Sequence, residues 1–255
     1  MSQTAVESPG CYVYALVRHD GRPLPAVTGV GGSELRIVTV PGSKVAAVVS
    51  DADALPERVR RTDLLAHSEV LQALVADRDV VPIRFGSVYP SDDEMCGELL
   101  AANAGPLQRL LAAVEAKVEM QVKIGYDEAA VTTEIVASDR HVRKMRDVVR
   151  VAPADNGARI ELGRRFSAAL DARRSEDARQ ATRRLERSCE AVTVSGGSGD
   201  FGVAKIACLV SRKKLRKLEE AIDRMADGQA GRMTFEVLGP LPPYSFVSGP
   251  IAEVG

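Results

Sequence analysis

The segment KVEMQVKIGY, Lys117–Tyr126, has the most regular strand pattern in the chain. Apolar residues occupy every second position: Val118, Met120, Val122 and Ile124. Charged or amide residues stand between them: Lys117, Glu119, Gln121 and Lys123. Because successive side chains of a strand point to opposite faces, this pattern predicts a β-strand with one buried and one solvated face.

The residues after this strand predict the other elements of a ferredoxin-like sheet. Helical periodicity covers residues 127–149 and, after the break PADNG, residues 159–188. Two strand-like segments, EAVTVSG and VAKIACLVS, flank the stretch GGSGDFG, and a helix over residues 212–226 precedes the last strand, MTFEVLG. The order β, α, β, β, α, β is ferredoxin-like. We therefore predict an elaborated ferredoxin-like C-terminal domain, residues 117–255, with a Pro-rich tail.

The residues before this strand predict a separate N-terminal α/β domain, residues 1–116. CYVYALVR is rich in β-branched and aromatic residues, and the turn sequence PGS joins the strand-like segments LRIVTV and VAAVVS. Helical spacing follows over residues 56–76, with Asp63 or Ser68 as the expected N-cap. VVPIRFGSVYP, residues 80–90, is extended again. The predicted fold class is α+β, in two domains.

Composition excludes several classes of protein. The 34 basic and 35 acidic residues are intermixed and give a formal net charge of -1, so no overall field favours nucleic acid or anionic lipid. The chain shows neither a leader pattern nor an apolar run long enough to span a bilayer. The four cysteines form no CxxC pair, which suits a reducing compartment. We expect a soluble, cytoplasmic protein with no nucleic-acid or membrane partner.

The sequence offers no catalytic, cofactor or metal site. His19, His67 and His141 stand apart from one another, and structural roles are expected for all three. The glycine-rich stretch SGGSGDFG leads into a strand rather than a helix, so it indicates a hairpin and not a phosphate loop. Ser91 before three acidic residues indicates a helix N-cap, with metal binding by the acidic residues as the alternative.

Two basic features call for a partner. Arg84 lies among apolar residues of a predicted strand, where a guanidinium pairs with a carboxylate or carbonyl or projects as a binding anchor. RKKLRK, residues 212–217, places positive charge at a helix start, where the helix dipole disfavours it. A solvated surface and an acidic partner are the two interpretations of this cluster.

The end of the chain, VLGPLPPYSFV, residues 237–247, combines three prolines with an aromatic finish. The prolines interrupt regular structure. We expect the prolines to form an extended segment and Tyr244 and Phe246 to dock on the body of the protein, near VVPIRFG. The tail has two possible roles: it completes the protein core, or it binds a partner.

Four stretches in this order resemble the gas vesicle protein F/L family over nearly the full length: YVYALV, VVPIRFGSVY, EMQVKIGY and LGPLPPYSFV. The resemblance implies a cytoplasmic, non-enzymatic accessory protein of gas vesicle assembly, built of an α/β domain and a ferredoxin-like domain. It further implies binding to the apolar major gas vesicle shell protein and to other gas vesicle accessory proteins, which limits shell-protein aggregation during nucleation.

Four residues are the candidates for protein binding: Arg84, Phe85, Tyr244 and Phe246. If the partner binds in an aliphatic groove, three further residues could line that groove: Val13, Leu16 and Ile83. Packing in the protein core is the alternative role for these three residues. The alternative to the assembly role is a ferredoxin-like module that senses a small ligand or mediates protein interaction.

Overall fold

The computed structural model describes residues 10–52, 60–151 and 156–247, which form two antiparallel sheets and seven α-helices. The strands are β1 Gly10–Arg18, β2 Leu35–Thr39, β3 Val45–Ala52, β4 Val80–Pro82, β5 Val88–Tyr89, β6 Lys117–Tyr126, β7 Ala191–Gly196, β8 Gly202–Ser211 and β9 Met233–Leu241. The helices are α1 Arg61–Asp77, α2 Asp92–Met95, α3 Ala104–Ala113, α4 Glu128–Ser138, α5 Arg140–Val151, α6 Asn156–Glu186 and α7 Leu215–Asp227. The predicted α+β class is confirmed.

The first sheet has the order β2-β3-β1-β4, with β5 beside β1, and β1 buries seven of its nine residues. The register of β1 against β3 shifts between Val13 and Ala15, which makes Tyr14 a bulge. A bulge reverses the alternation of side chains beyond it. Cys11, Val13 and Leu16 therefore share one core cluster, although their spacing is not strictly two.

Helices cover both faces of this sheet. The cluster of Cys11, Val13 and Leu16 packs against α2, α3 and the π-helical turn Cys96–Ala101 between them. The other face packs against α1. Ser91 caps α2 by accepting a hydrogen bond from the backbone N–H of Glu94, as predicted.

The second sheet has the order β7-β8-β6-β9, which is the strand order of a ferredoxin-like sheet. Its strands alternate with helices along the chain in the predicted sequence, but the helix expected over residues 127–149 is two helices. Asp139 separates α4 from α5, and its carboxylate accepts from the backbone N–H groups of His141 and Val142. Asp139 thus acts as the N-cap of a new helix, a role that short polar side chains favour.

The described residues pack as two units, one comprising residues 10–52, 60–119 and 239–247 and the other residues 120–151 and 156–238. The predicted C-terminal domain, residues 117–255, differs from the second unit because residues 239–247 bond to the first unit. Whether the units fold as independent domains stays a prediction.

Helix α1 differs from its prediction at its start. Arg60 is the N-cap and no side chain caps the helix, so neither Asp63 nor Ser68 has the predicted role. Leu64 and Leu65 are exposed rather than part of the buried stripe. Residues 53–59, where the pattern placed the helix start, and residues 152–155, within the predicted break, lie outside the described residues.

A candidate protein-binding surface

Tyr12 and Tyr14 place two buried rings side by side under α1. Both side chains are fully buried, and their ring centroids are 4.7 Å apart. The His67 ring on α1 stacks on Tyr14 at 5.5 Å between centroids and makes a T-shaped contact with the Phe85 ring, also at 5.5 Å. The result is a small aromatic cluster built by β1, α1 and the turn after β4.

Four hydrogen bonds run in one direction through this cluster. The backbone N–H of Gly86 donates to Tyr12 Oη over 3.1 Å, and that hydroxyl lies 3.0 Å from His67 Nδ1. His67 Nε2 lies 3.1 Å from Tyr244 Oη, which donates to the carbonyl of Ile83 over 3.3 Å. Because the Tyr244 proton is used on a carbonyl, His67 carries its proton on Nε2 and accepts at Nδ1. With this tautomer, each of the four donors in this series of hydrogen bonds has an acceptor.

Burial keeps these groups neutral near pH 7. It lowers the pKa of His67 to about 4 and raises the pKa of Tyr244 to about 12. It also raises the pKa of Tyr12, more than its hydrogen bond from Gly86 lowers it. A general base works best with a pKa near the working pH, and both nitrogens of His67 are already occupied. The neutral, hydrogen-bonded His67 is therefore better suited to anchoring Tyr244 than to acting as a general base.

The Pro-rich tail is held at a second point, by Glu119. The tail enters through the buried Pro242 and Pro243 and forms one 3-10 turn, Tyr244–Phe246. Glu119 Oε2 accepts from the backbone N–H of Ser245 over 2.8 Å, and Oε1 accepts from the Ser245 hydroxyl over 2.9 Å. The expectation that Glu119 lies on a solvated face is wrong, because this residue is 0% exposed and serves the tail.

The anchored tail leaves an aromatic and basic surface open to solvent. Tyr244 is 45% exposed although its hydroxyl is bonded, and Phe85, which also contacts His67, is half-buried. Arg84 is exposed, and within residues 10–52, 60–151 and 156–247 no carboxylate forms an ion pair with its guanidinium. We call Arg84, Phe85 and Tyr244 the tail surface.

The other candidates are half-buried or buried. Phe246 is half-buried, and among the described residues it forms no ring contact with the aromatic cluster. Val13, Leu16 and Ile83 are at most 1% exposed and belong to the core cluster, so they line no surface groove. His67 and Glu119, which hold the tail, were missed as partners of the tail because neither has a local sequence signal for that role.

The described residues contain neither a metal-binding cluster nor a membrane-spanning helix. In that part of the chain no three His, Cys, Asp or Glu side chains come together in a group that could hold a metal ion. No described helix is both long and apolar enough to cross a membrane.

Comparison with known proteins identifies the family. The family model described as gas vesicle synthesis protein GvpL/GvpF matches residues 10–248. Gas vesicle protein F of Streptomyces sp. (strain CB03234) is 34% identical over 240 residues, which cover 92% of this chain and 98% of that protein. Gas vesicle protein F of Haloferax mediterranei is 27% identical, over 94% of each chain.

Solved structures share the fold. The crystal structure of GvpF from Anabaena sp. PCC7120 superposes with a TM-score of 0.80 at 20% identity, covering 95% of this chain and all of that one. GvpF from Microcystis aeruginosa gives a TM-score of 0.74 at 20% identity, covering 94% and 99%. The chain therefore belongs to the gas vesicle synthesis protein GvpL/GvpF family, a family of structural or accessory proteins of gas vesicles.

Proposed function

We propose that this protein is a non-enzymatic accessory factor of gas vesicle assembly that binds the apolar major shell protein and limits its aggregation during nucleation. Other gas vesicle accessory proteins are further partners in this proposal, and the protein acts in the cytoplasm and at the gas vesicle. Family membership supports the gas vesicle role. The contact with the shell protein is the part that the proposal adds.

The observation that carries the proposal is the tail surface. Tyr244 is fixed through its hydroxyl while much of its ring stays in solvent. An aromatic side chain that is already immobilised loses little conformational entropy when a partner covers it. Tyr and Arg are also the residue types enriched among the side chains that dominate binding energies. The tail surface offers both, with the ring of Phe85 beside them.

The chemistry of the surface favours an apolar partner with a polar rim. The exposed ring of Tyr244 and the half-buried ring of Phe85 supply area that aliphatic side chains can cover. The guanidinium of Arg84 supplies donors for a carbonyl or carboxylate of the partner. A shell protein with an apolar face would satisfy both features and would be shielded from self-association while bound.

Co-expression with a major gas vesicle shell protein tests the proposal. We expect the shell protein to stay soluble and to co-elute with this protein at high salt, because an apolar contact is not screened by ions. Arg84→Ala and Tyr244→Ala are expected to reduce the co-eluting fraction. Arg109→Ala is the matched control, since Arg109 is an exposed arginine on α3 of the same unit.

Tyr244→Ala also removes the anchor of the tail, so each variant needs a melting curve beside its binding measurement. Loss of co-elution with an unchanged melting curve in Arg84→Ala would support the tail surface as the contact. Co-elution that is equal in wild type, Arg84→Ala and Tyr244→Ala would contradict it. A shell protein that precipitates whether or not this protein is present would contradict the chaperone-like role itself.

A further inference from the structure

A basic cleft lies between α6 and α7 in the second unit. Its volume is about 480 Å³, and its walls carry four cationic side chains: Arg184, Arg187, Lys217 and Arg224. Ala221 lies between Lys217 and Arg224 on the same stripe of α7, and its small side chain keeps the cleft open. No Asp or Glu lines this space.

Among the described residues, the four cations of the cleft have no counterion within the protein, and all four are exposed. Within residues 10–52, 60–151 and 156–247, none of their side chains forms an ion pair or hydrogen bond. Glu220 lies four residues before Arg224 on α7, but its carboxylate pairs with Arg216 instead. The four charges therefore face solvent and are available to an anion.

The sequence cluster RKKLRK contributes only one residue to this cleft. Lys214 forms an ion pair with Glu190 at 2.8 Å, and Arg216 pairs with Glu220 at 3.5 Å. Of this run, only Lys217 lines the cleft, with Arg184 of α6, Arg187 just after α6 and Arg224 of α7. The basic cleft is therefore formed by residues from two helices and is not the same feature as the local run of basic residues.

We propose that this cleft binds an acidic segment of a partner protein through its carboxylates. Arginine presents a planar fork of donors that matches a carboxylate in two parallel hydrogen bonds, and three of the four cations are arginines. The site lies in the second unit and does not depend on the proposed contact of the tail surface with the shell protein.

Features around the cleft favour a short acidic peptide over nucleic acid. No aromatic residue lines it, so bases have no stacking platform. Exposed carboxylates flank it on both helices, Glu186 on α6 and Asp223 on α7. A duplex needs a continuous basic face along its phosphates, and these carboxylates would interrupt it. The two carboxylates therefore limit the surface that attracts anions to the cleft itself.

The experiment measures binding of a fluorescein-labelled hexaglutamate peptide to the full chain by fluorescence anisotropy. We expect the double reversal Arg184→Glu/Arg224→Glu to weaken binding at least about ten-fold, because it removes two carboxylate partners and adds repulsion. Arg159→Glu/Lys213→Glu is the matched control: it makes the same total charge change at two exposed cations outside the cleft, one on α6 and one just before α7, and is expected to change the affinity less than about two-fold. Added NaCl should weaken binding to the wild-type protein.

Several outcomes would overturn the proposal. No peptide binding at low salt would do so, as would an equal loss of affinity in Arg159→Glu/Lys213→Glu and in Arg184→Glu/Arg224→Glu. Tighter binding of a short DNA duplex than of the peptide would assign the cleft to nucleic acid instead. As a second readout, hexaglutamate is expected to raise the melting temperature of the wild-type protein and not that of Arg184→Glu/Arg224→Glu, and equal shifts in the two proteins would contradict the cleft as the binding site.

Discussion

His67 is expected to make the folded protein sensitive to acid between pH 7 and pH 4. Burial lowers its pKa from an ordinary value of 6.5 to about 4. Below pH 6.5 the unfolded chain therefore binds a proton at this side chain that the folded chain does not bind. The stabilisation that the neutral, buried imidazole provides is complete above pH 6.5 and is lost as the pH falls towards 4.

The size of this effect follows from the difference between the two pKa values. Linkage converts it to about 2 kcal/mol of lost stability between pH 7 and pH 5, and to about 3 kcal/mol by pH 4. The titratable side chains in contact with the imidazole are Tyr12, Tyr14 and Tyr244, and burial raises the pKa of each, so all three stay protonated throughout this range.

Urea unfolding at pH 7, 6 and 5, followed by circular dichroism, measures the effect. In His67→Gln the titrating group is gone, so the wild-type protein is expected to lose about 2 kcal/mol more than the variant over this range. The comparison removes contributions from every other titrating group. Parallel pH dependence in the two proteins would refute the reasoning, because it would mean that His67 binds its proton equally well in the folded and unfolded chains.

Three more changes have defined outcomes. Tyr244→Phe is expected to lower the free energy of unfolding by about 1–2 kcal/mol, because two partners of its hydroxyl lose a hydrogen bond; an unchanged urea midpoint would contradict the anchor. Ser91→Ala should cost about 1 kcal/mol through the lost N-cap of α2, measured by thermal melting against Ser91→Thr, which should keep most of the stability. Arg232→Gln should lower the free energy of unfolding by about 2 kcal/mol, because Arg232 joins Glu134 and Asp177 in one ion-pair network. A double-mutant cycle with Asp177→Asn that gives no coupling energy would argue against this network.

Local signals in the sequence account for most of the elements. The alternation in KVEMQVKIGY predicts β6 at its observed bounds, and Ser91 before three acidic residues predicts the start of α2. The glycine-rich stretch between β7 and β8 is a hairpin connection, as its position between two strands indicates. Each of these features is decided by neighbouring residues, so one sequence is enough to predict it.

The tail surface depends on contacts that are distant in sequence, and it could be predicted only in part. The Pro-rich motif indicates that Tyr244 docks, but nothing near His67 or Glu119 marks them as its anchors. Their partners are 177 and 126 residues away. The apolar–polar alternation of β6 gave a wrong prediction for Glu119. A polar residue at such a position can face solvent, or it can be buried with hydrogen-bond donors that satisfy its carboxylate, and the pattern is the same in both cases.

The return of residues 239–247 to the first unit has a consequence for biosynthesis. A ribosome makes residues 1–119 first, but it makes the segment that supplies Tyr244 and Ser245 to that unit only after residues 120–238. The first unit therefore reaches its final set of contacts only after the second unit has been translated, even though nascent domains generally fold in order from the N-terminus. A chain that stops within the second unit lacks the anchored Tyr244, so the finished tail surface requires that the second unit has already been made.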